Sequence, residues 1–295
     1  MSHATVHLVM STIGRPQSLS RLLESLTRQS VPVFITLVEQ AESQVSRPLL
    51  EPWLEQGCAE YLHEPVIRGL SRGRNTGMRQ LRGDIIAFPD DDCWYEPGLL
   101  AEVVRRLDAA QPAGSGRPGT PLDGLSVRQT TASGEPSHLR WLDRPALVTP
   151  RLVPRTVNSS TLFLRSAAVR ATGLFDEELG AGAGTPFGAG EETDYVTRFI
   201  RHGFTLAYQP DLSVHQDEWR DARTAAVRSK VRAYNRGFGR VLRRHGQFTD
   251  FGYWVARSCA GLGVAAARGD RPGAAHQWDQ LAGRVSGFVR PLKPR

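Results

Sequence analysis

The stretch DIIAFPDDDCWYEPGLL, residues 84–100, runs from an apolar segment straight into three consecutive aspartates and then into aromatic side chains. Ile85, Ile86, Ala87 and Phe88 form the short unbroken apolar run of a strand covered on both faces, as strands of a parallel sheet are. Asp90, Asp91 and Asp92 then fall just past its carboxyl end, where open α/β sheets bind their ligands. Carboxylates at contact distance repel by about 4 kcal/mol per pair at an effective dielectric of roughly 20, so such a cluster calls for a cation. Acids at a strand end suit a hard divalent ion such as Mg²⁺ or Mn²⁺, whose other positions go to phosphate oxygens and water. The plainer alternative is a solvated acidic turn that caps the helix beginning near Pro97.

Working outward, VHLVM (residues 6–10) reads as a buried strand ending at the turn STIGRP, and Leu19, Leu22, Leu23 and Leu26 line one face of the helix that follows. VFITLVEQ (33–40) is a second strand. The helix-like segment GLSRGRNTGMRQLRG (69–83) has glycines four apart, a spacing for close helix packing, and leads into the strand at 84–89. Strand, helix and strand in this order predict an α/β fold. A helix is expected over Leu99–Leu107, and the Pro- and Gly-rich AAQPAGSGRPGTPLDG (109–124) predicts a surface insertion without regular structure. Downstream, TVNSSTLFLRSAAVRATGLFDEEL reads as strand, short helix and turn. The glycine-rich loop LGAGAGTPFGAG then runs into a helix opened by GEETD (190–194), and FTLAYQPDLSVHQDE closes the body as a strand. The loop before the helix is expected to act as a lid.

The formal charge of +7 is unevenly placed: residues 221–295 carry 15 Lys/Arg against 4 Asp/Glu, leaving 22 basic and 26 acidic residues in 1–220 (37 − 15 and 30 − 4). A basic tail on a mildly acidic body suggests that the tail meets an anionic surface. Within 223–245, Val227, Val231, Tyr234, Phe238 and Val241 make an apolar stripe, while Arg228, Arg232, Arg236, Arg240 and Arg244 form a ridge on the same helix. Gly237 and Gly239 weaken that helix and could break it. The tail is expected either to lie on anionic lipid or to pack on its own body with the ridge in water. Cys58, Cys93 and Cys259 form no CxxC pair and fit a reducing compartment. The N-terminus shows no export leader, and FGYWVARSCAGLGVAAARG, the most apolar segment, is interrupted by Arg257. The expected location is cytoplasmic, with the tail on the inner face of the membrane as a further expectation.

FPDDDCWYEPGLL, with STIGRP after the first strand, VEQ after the second, GLSRGRNTG before the third and GLFDEELGAGAGTPFGAGEETDYVTRFIRHGF downstream, resembles an inverting glycosyltransferase of the GT-A fold, family 2. The similarity runs through nearly all of residues 5–217. It implies a single Rossmann-like GT-A domain over 1–220 with a mixed, mostly parallel central sheet, and a basic helical C-terminal extension over 221–295. It also implies a metal-dependent, hexosyltransferase-like enzyme with a DXD-type motif. The donor would be a UDP- or dTDP-linked sugar and the cofactor Mg²⁺ or Mn²⁺. A glycan, lipid-linked or small-molecule hydroxyl would be the acceptor, with no nucleic acid as partner.

Carried over by position, the resemblance places Thr12 and Glu39 at the nucleobase and ribose. Arg72 and Arg74, or Arg68, lie in the nucleotide-holding segment; Asp90 and Asp91 face the donor's ribose and sugar, and Asp92 the metal. His215 is a candidate third point on that metal. Glu192 takes the role of general base, with Glu191 and Asp194 as neighbours, although a helix N-terminus also favours acids for purely structural reasons. A nicotinamide dehydrogenase is disfavoured, because no GxGxxG follows the first strand. A nucleic-acid binder would leave the acid triplet unexplained. The competing reading is a non-catalytic nucleotide-binding or membrane-surface module with a degenerate GT-A site.

Overall fold

The computed structural model describes residues 4–109, 119, 121–137, 141–216 and 225–291. The described residues form two compact units, one within 1–68, 72–175 and 195–219, the other within 69–71, 176–194 and 220–295.

The first unit is built on one mixed sheet. Its opening elements are β1 (Val6–Thr12), α1 (Pro16–Thr27), β2 (Val33–Glu39), α2 (Arg47–Glu55), β3 (Ala59–His63), α3 (Leu70–Gly77) and β4 (Ile85–Ala87). β1 pairs in parallel with both β2 and β4, and β2 with β3, so their carboxyl ends open on the same side. Side chains alternate between two apolar cores. Leu8, Met10, Ile85 and Ala87 join the leucines of α1 on one face, while Val9, Ile86 and Phe88 join the other. Pro16 at the first helical position starts α1, whose Leu19, Leu22, Leu23 and Leu26 are buried as the spacing predicts.

The remaining elements are β5 (Cys93–Tyr95), α4 (Leu99–Asp108), β6 (Gly124–Thr130), β7 (Ala146–Leu147), α5 (Val153–Thr156), β8 (Leu162–Arg165), α6 (Ser166–Thr172), α7 (Glu191–Arg201) and β9 (Leu206–Gln216). The sheet order is β3-β2-β1-β4-β8-β6-β9-β5, with β7 on β9. β8 runs antiparallel to β4 and to β6, and β5 and β7 antiparallel to β9, which makes the sheet mixed. Most of the insertion expected at 109–124 lies outside the described residues.

α3 is pressed onto the sheet through its glycines. A Cβ on Gly77 would stand 2.7 Å from Val9 Cγ1, and one on Gly73 would collide with Ser11 Oγ. The four-residue spacing is therefore a packing spacing, and it seats Arg74 between the two contacts.

The second unit contains α8 (Ala225–Arg244), α9 (Phe248–Ala267) and α10 (Arg271–Val289), together with the loop 176–190 and the first turn of α7. No described helix is long and apolar enough to cross a membrane. α8 runs unbroken through Gly237 and Gly239, because both are used for close approach: Gly237 faces the Ala189 carbonyl and Gly239 the Arg284 carbonyl. Gly283 and Gly287 of α10 meet the carbonyls of Arg232 and Arg236 in the same way.

The arginine ridge is engaged within this unit. Arg228 and Arg232 both donate to the buried Asp279 of α10, Arg236 to Ser286, and Arg240 to the carbonyls of Arg290 and Pro291. Arg244 pairs with Asp176 and lies 3.5 Å from Asp194. The expected apolar stripe is only partly buried, with Val241 fully inside and Tyr234 exposed. The buried carboxylate of Asp279 draws the ridge side of the helix inward instead, a contact 51 residues away in sequence from Arg228.

Candidate functional site

β4 ends at Ala87 opposite Leu8 of β1, and the acids that follow β4 meet the end of β1. Thr12, last in β1, donates its hydroxyl to Asp91 Oδ2 at 2.5 Å, and the Gly14 amide donates to Thr12 Oγ1 at 3.1 Å. Gly14 has φ +89, a left-handed conformation that a side chain would strain, and it turns the chain back over the strand end. Arg15 is thereby aimed at the acids. Its Nη1 donates to Asp92 Oδ2 at 2.8 Å, its Nε to Asp91 Oδ2 at 3.2 Å, and its Nη2 to Asp91 Oδ1.

The third aspartate has its own cation. Arg74 is fully buried, with its guanidinium over the Phe175 ring, and its Nη2 donates to both Asp90 Oδ1 and Ser159 Oγ at 2.8 Å. The repulsion within the triplet is thus offset by two guanidinium groups, Arg74 on Asp90 and Arg15 on Asp91 and Asp92. Burial raises the Asp91 carboxyl above its ordinary range, against the Thr12 hydrogen bond and the Arg15 charge, which favour the carboxylate. Arg15 shifts upward in turn: burial opposes its charge, but Asp91 and Asp92 outweigh it.

Asp90 and Asp92 also converge with Cys93, one ligand atom of each lying within 4.8 Å of the others. The two carboxylates fit a hard divalent ion such as Mg²⁺ or Mn²⁺. The thiol does not, since burial, then the charges of Asp90 and Asp92, push Cys93 well up and keep its proton on. The fitting ligands are Asp90 and Asp92.

His215 is not part of that cluster among the described residues. It pairs across the sheet with Trp94, stacks on the indole at 5.4 Å and bonds through Nδ1 with Thr130 Oγ1 at 2.9 Å. Its Nε2 stands 3.0 Å from Glu96. Glu39 lies beside Thr12 in the β1–β2 register, but its carboxylate is buried and accepts from the Ser46 amide, the Ser46 hydroxyl and the Tyr61 hydroxyl. Burial, then the neighbouring Glu39 carboxylate, push the Tyr61 phenol up. Arg68 donates to the Gln40 carbonyl, and Arg72 to the Arg68 carbonyl at the long distance of 3.4 Å. The structure therefore brings Thr12, Arg74, Asp90, Asp91 and Asp92 together and leaves Glu39 enclosed.

In the second unit, GEETD opens α7. Glu191 and Asp194 are buried, while Glu192 is partly exposed. Asp194 accepts from His245 Nε2 at 2.9 Å, with Arg244 beside it. Gly180, at φ +102, lies so close to Glu191 that a Cβ there would stand 3.2 Å from its carboxylate.

The family model described as Glycosyl transferase family 2 matches residues 8–169, more than half of the chain, starting within β1 and ending within α6. The chain belongs to glycosyl transferase family 2. Among curated relatives of this family-2 chain, the pre-mycofactocin glycosyltransferase of Mycobacterium tuberculosis is 30% identical over 220 residues, 73% of this chain and 43% of that protein. The chain thus spans less than half the length of that relative. Glycosyltransferase AglE of Haloferax volcanii is 22% identical over 70% of this chain and 65% of its own length.

Among solved structures, mannosyltransferase PcManGT from Pyrobaculum calidifontis, in complex with GDP-Man and Mn²⁺, aligns over 97% of this chain and 88% of its own with a TM-score of 0.69 at 16% identity. Residues 1–349 of TarS from S. aureus, in complex with UDP-GlcNAc, align over 96% of this chain and 91% of theirs with a TM-score of 0.60 at 13% identity. These likenesses show the GT-A fold. For this family-2 chain, the sequence pattern missed Arg15, Ser159 and Gln216 as partners of the acids. Only Arg15 carried a local signal, standing directly after a turn glycine at a strand end.

Proposed function

We propose that the protein is an inverting glycosyltransferase, moving a hexose from a UDP- or dTDP-type nucleotide donor to an acceptor hydroxyl. The observation that carries this reading is the convergence of Asp90 and Asp92 just past the carboxyl end of β4, with Thr12 at the end of β1 hydrogen-bonded into the same triplet. Family membership supports it, as do the nucleotide sugars named for the structural relatives.

In this reading Asp90 and Asp92 hold Mg²⁺ or Mn²⁺, which when bound neutralises charge growing on the leaving diphosphate. Arg74 fixes the Asp90 carboxylate, and the Thr12–Asp91 bond shapes the donor side. Glu39 acts indirectly, by holding Ser46 and Tyr61. His215 supports Trp94 and the adjoining strand end. Glu192 accepts the proton of the attacking hydroxyl. Of the three acids of GEETD it is the one that is not buried, and Asp194 is occupied by His245. Inversion requires attack on the face opposite the leaving diphosphate, with a base next to the incoming hydroxyl. Such a base contributes about 10²–10⁴ in rate. Because the ridge arginines are engaged within the chain, the tail enters this reading as an internal partner of loop 176–194; an anionic membrane is not needed.

The test is a panel of nucleotide sugars scored by Mn²⁺-dependent thermal shift and by donor hydrolysis, in which water takes the acceptor's place. Asp92→Ala should lose the Mn²⁺-dependent shift. Glu192→Gln should keep it and lose about 10² or more in hydrolysis. Normal turnover by Glu192→Gln removes the base assignment, and binding with no turnover for any donor favours a non-catalytic module.

A further inference from the structure

We propose that Arg15 is the resting counter-ion of the acid triplet, and that a divalent ion binds by displacing its Nη1 arm from Asp92. The inference rests on the reading of Asp90 and Asp92 as the ion's ligands.

Both oxygens of Asp92 are already committed. Oδ1 accepts from Gln216 Nε2 at 2.7 Å and Oδ2 from Arg15 Nη1 at 2.8 Å. An ion that takes an oxygen of Asp92 meets one of these donors there and repels the cationic one, and the two are not equally held. Gln216 lies in the paired part of β9, opposite Cys93, and its own Oε1 accepts from Gln129 Nε2 at 2.5 Å. Moving it would disturb a strand and a second buried amide. Arg15 sits in the turn between β1 and α1 with its side chain 47% exposed. Its release from Asp92 breaks one bond at the surface and frees a guanidinium arm into water.

The same guanidinium does not have to leave altogether. Its other two contacts go to Asp91, whose side chain is only 1% exposed and is also held by Thr12. The planar fork of arginine can keep Asp91 through Nε and Nη2 while Nη1 gives up Asp92, which a lysine ammonium could not do with the same geometry. Arg15 therefore keeps the triplet from repelling itself when no ion is bound, and its competition lowers the site's affinity for the ion. Removing it should make metal binding tighter, the opposite of what loss of a structural residue would do.

The experiment is a titration of the full chain with Mn²⁺ alone, read by the loss of the free-ion electron paramagnetic resonance signal. Wild type, Arg15→Gln, Arg15→Lys and Asp92→Asn are compared, each with its thermal unfolding curve. Arg15→Gln should bind Mn²⁺ about tenfold tighter than wild type, the scale of one lost charge-assisted hydrogen bond. Arg15→Lys should fall between the two, and Asp92→Asn should abolish binding. If both Arg15 variants bind Mn²⁺ as wild type does, or more weakly, the exchange is refuted while the metal site stands. If no protein in the set binds Mn²⁺, either alone or with UDP added to supply phosphate oxygens, the metal site itself is refuted and this inference with it. Arg15→Lys retains a cation at the site and so remains informative should Arg15→Gln fold poorly.

Discussion

Replacing Gly237 by alanine sets two physical effects against each other with opposite signs. In the interior of a long helix the change gains about 1 kcal/mol of helix propensity. In this structure the new Cβ would stand 1.8 Å from the Ala189 carbonyl oxygen, so helix or loop must move by at least 1.2 Å to restore a 3.0 Å separation (3.0 − 1.8). The obstacle is backbone, and the Gly188 amide already donates to the Ala233 carbonyl at 3.0 Å, tying loop and helix together. Overpacking costs of about 1–3 kcal/mol are usual, and a backbone obstacle belongs at the upper end. The expected net loss is about 2 kcal/mol, or roughly 4–8 °C in Tm. Gly263 of α9 is exposed with nothing within 4 Å of its would-be Cβ, so Gly263→Ala should keep the propensity gain and raise Tm by roughly 2–4 °C. Far-UV circular dichroism melts of the two variants decide the matter. A Gly237→Ala protein that melts as high as Gly263→Ala would refute the close contact between α8 and Ala189.

His7 is buried between Thr36 and the Arg82 amide, and burial, then the Arg82 charge, lower its pKa from 6.5 to about 4. The unfolded chain therefore binds a proton that the folded one refuses between these values, and stability should fall by about 1.4 kcal/mol per pH unit as pH drops from 6.5 towards 4. His7→Gln should flatten that part of the urea-stability profile; an unchanged slope assigns it to other groups. Burial raises the Asp279 carboxyl, but the hydrogen bonds from Arg228 and Arg232 win and its pKa is lowered. Its stabilisation is present above the ordinary carboxylate range and lost as pH falls through the depressed value. Asp279→Ala should cost about 1–3 kcal/mol at neutral pH, and a variant as stable as wild type would show that the ridge arginines are held by other means.

The first half of the chain was the more legible because its signals are local. The apolar run 85–88 marked a strand covered on both faces, and the glycines at 73 and 77 announced the close seat of α3. The acid triplet was placed at a strand end, and a cation was required of it. What the pattern could not give was that two arginines already meet that demand, since Arg15 and Arg74 reach the acids from 76 and 16 residues away. Glu39 sits at the expected strand end, yet Ser46 and Tyr61 enclose it, and nothing near position 39 announces either. The tail's own periodicity sends its arginines outward; the buried Asp279 in α10 reverses this, and the pattern of a single helix carries no information about a partner helix.

The second unit joins residues 176–194 to helices that end at Val289. During synthesis, therefore, Asp194 leaves the ribosome well before its partners Arg244 and His245, and 95 residues separate it from the end of α10 (289 − 194). At roughly 5–20 residues per second the first turn of α7 waits about 5–20 s for the helices that enclose it. A chain cut short after residue 220 would be left with a buried-type carboxylate at Asp194 and no histidine to receive it, and Leu179 and Phe187 would lose Val241 from their cluster.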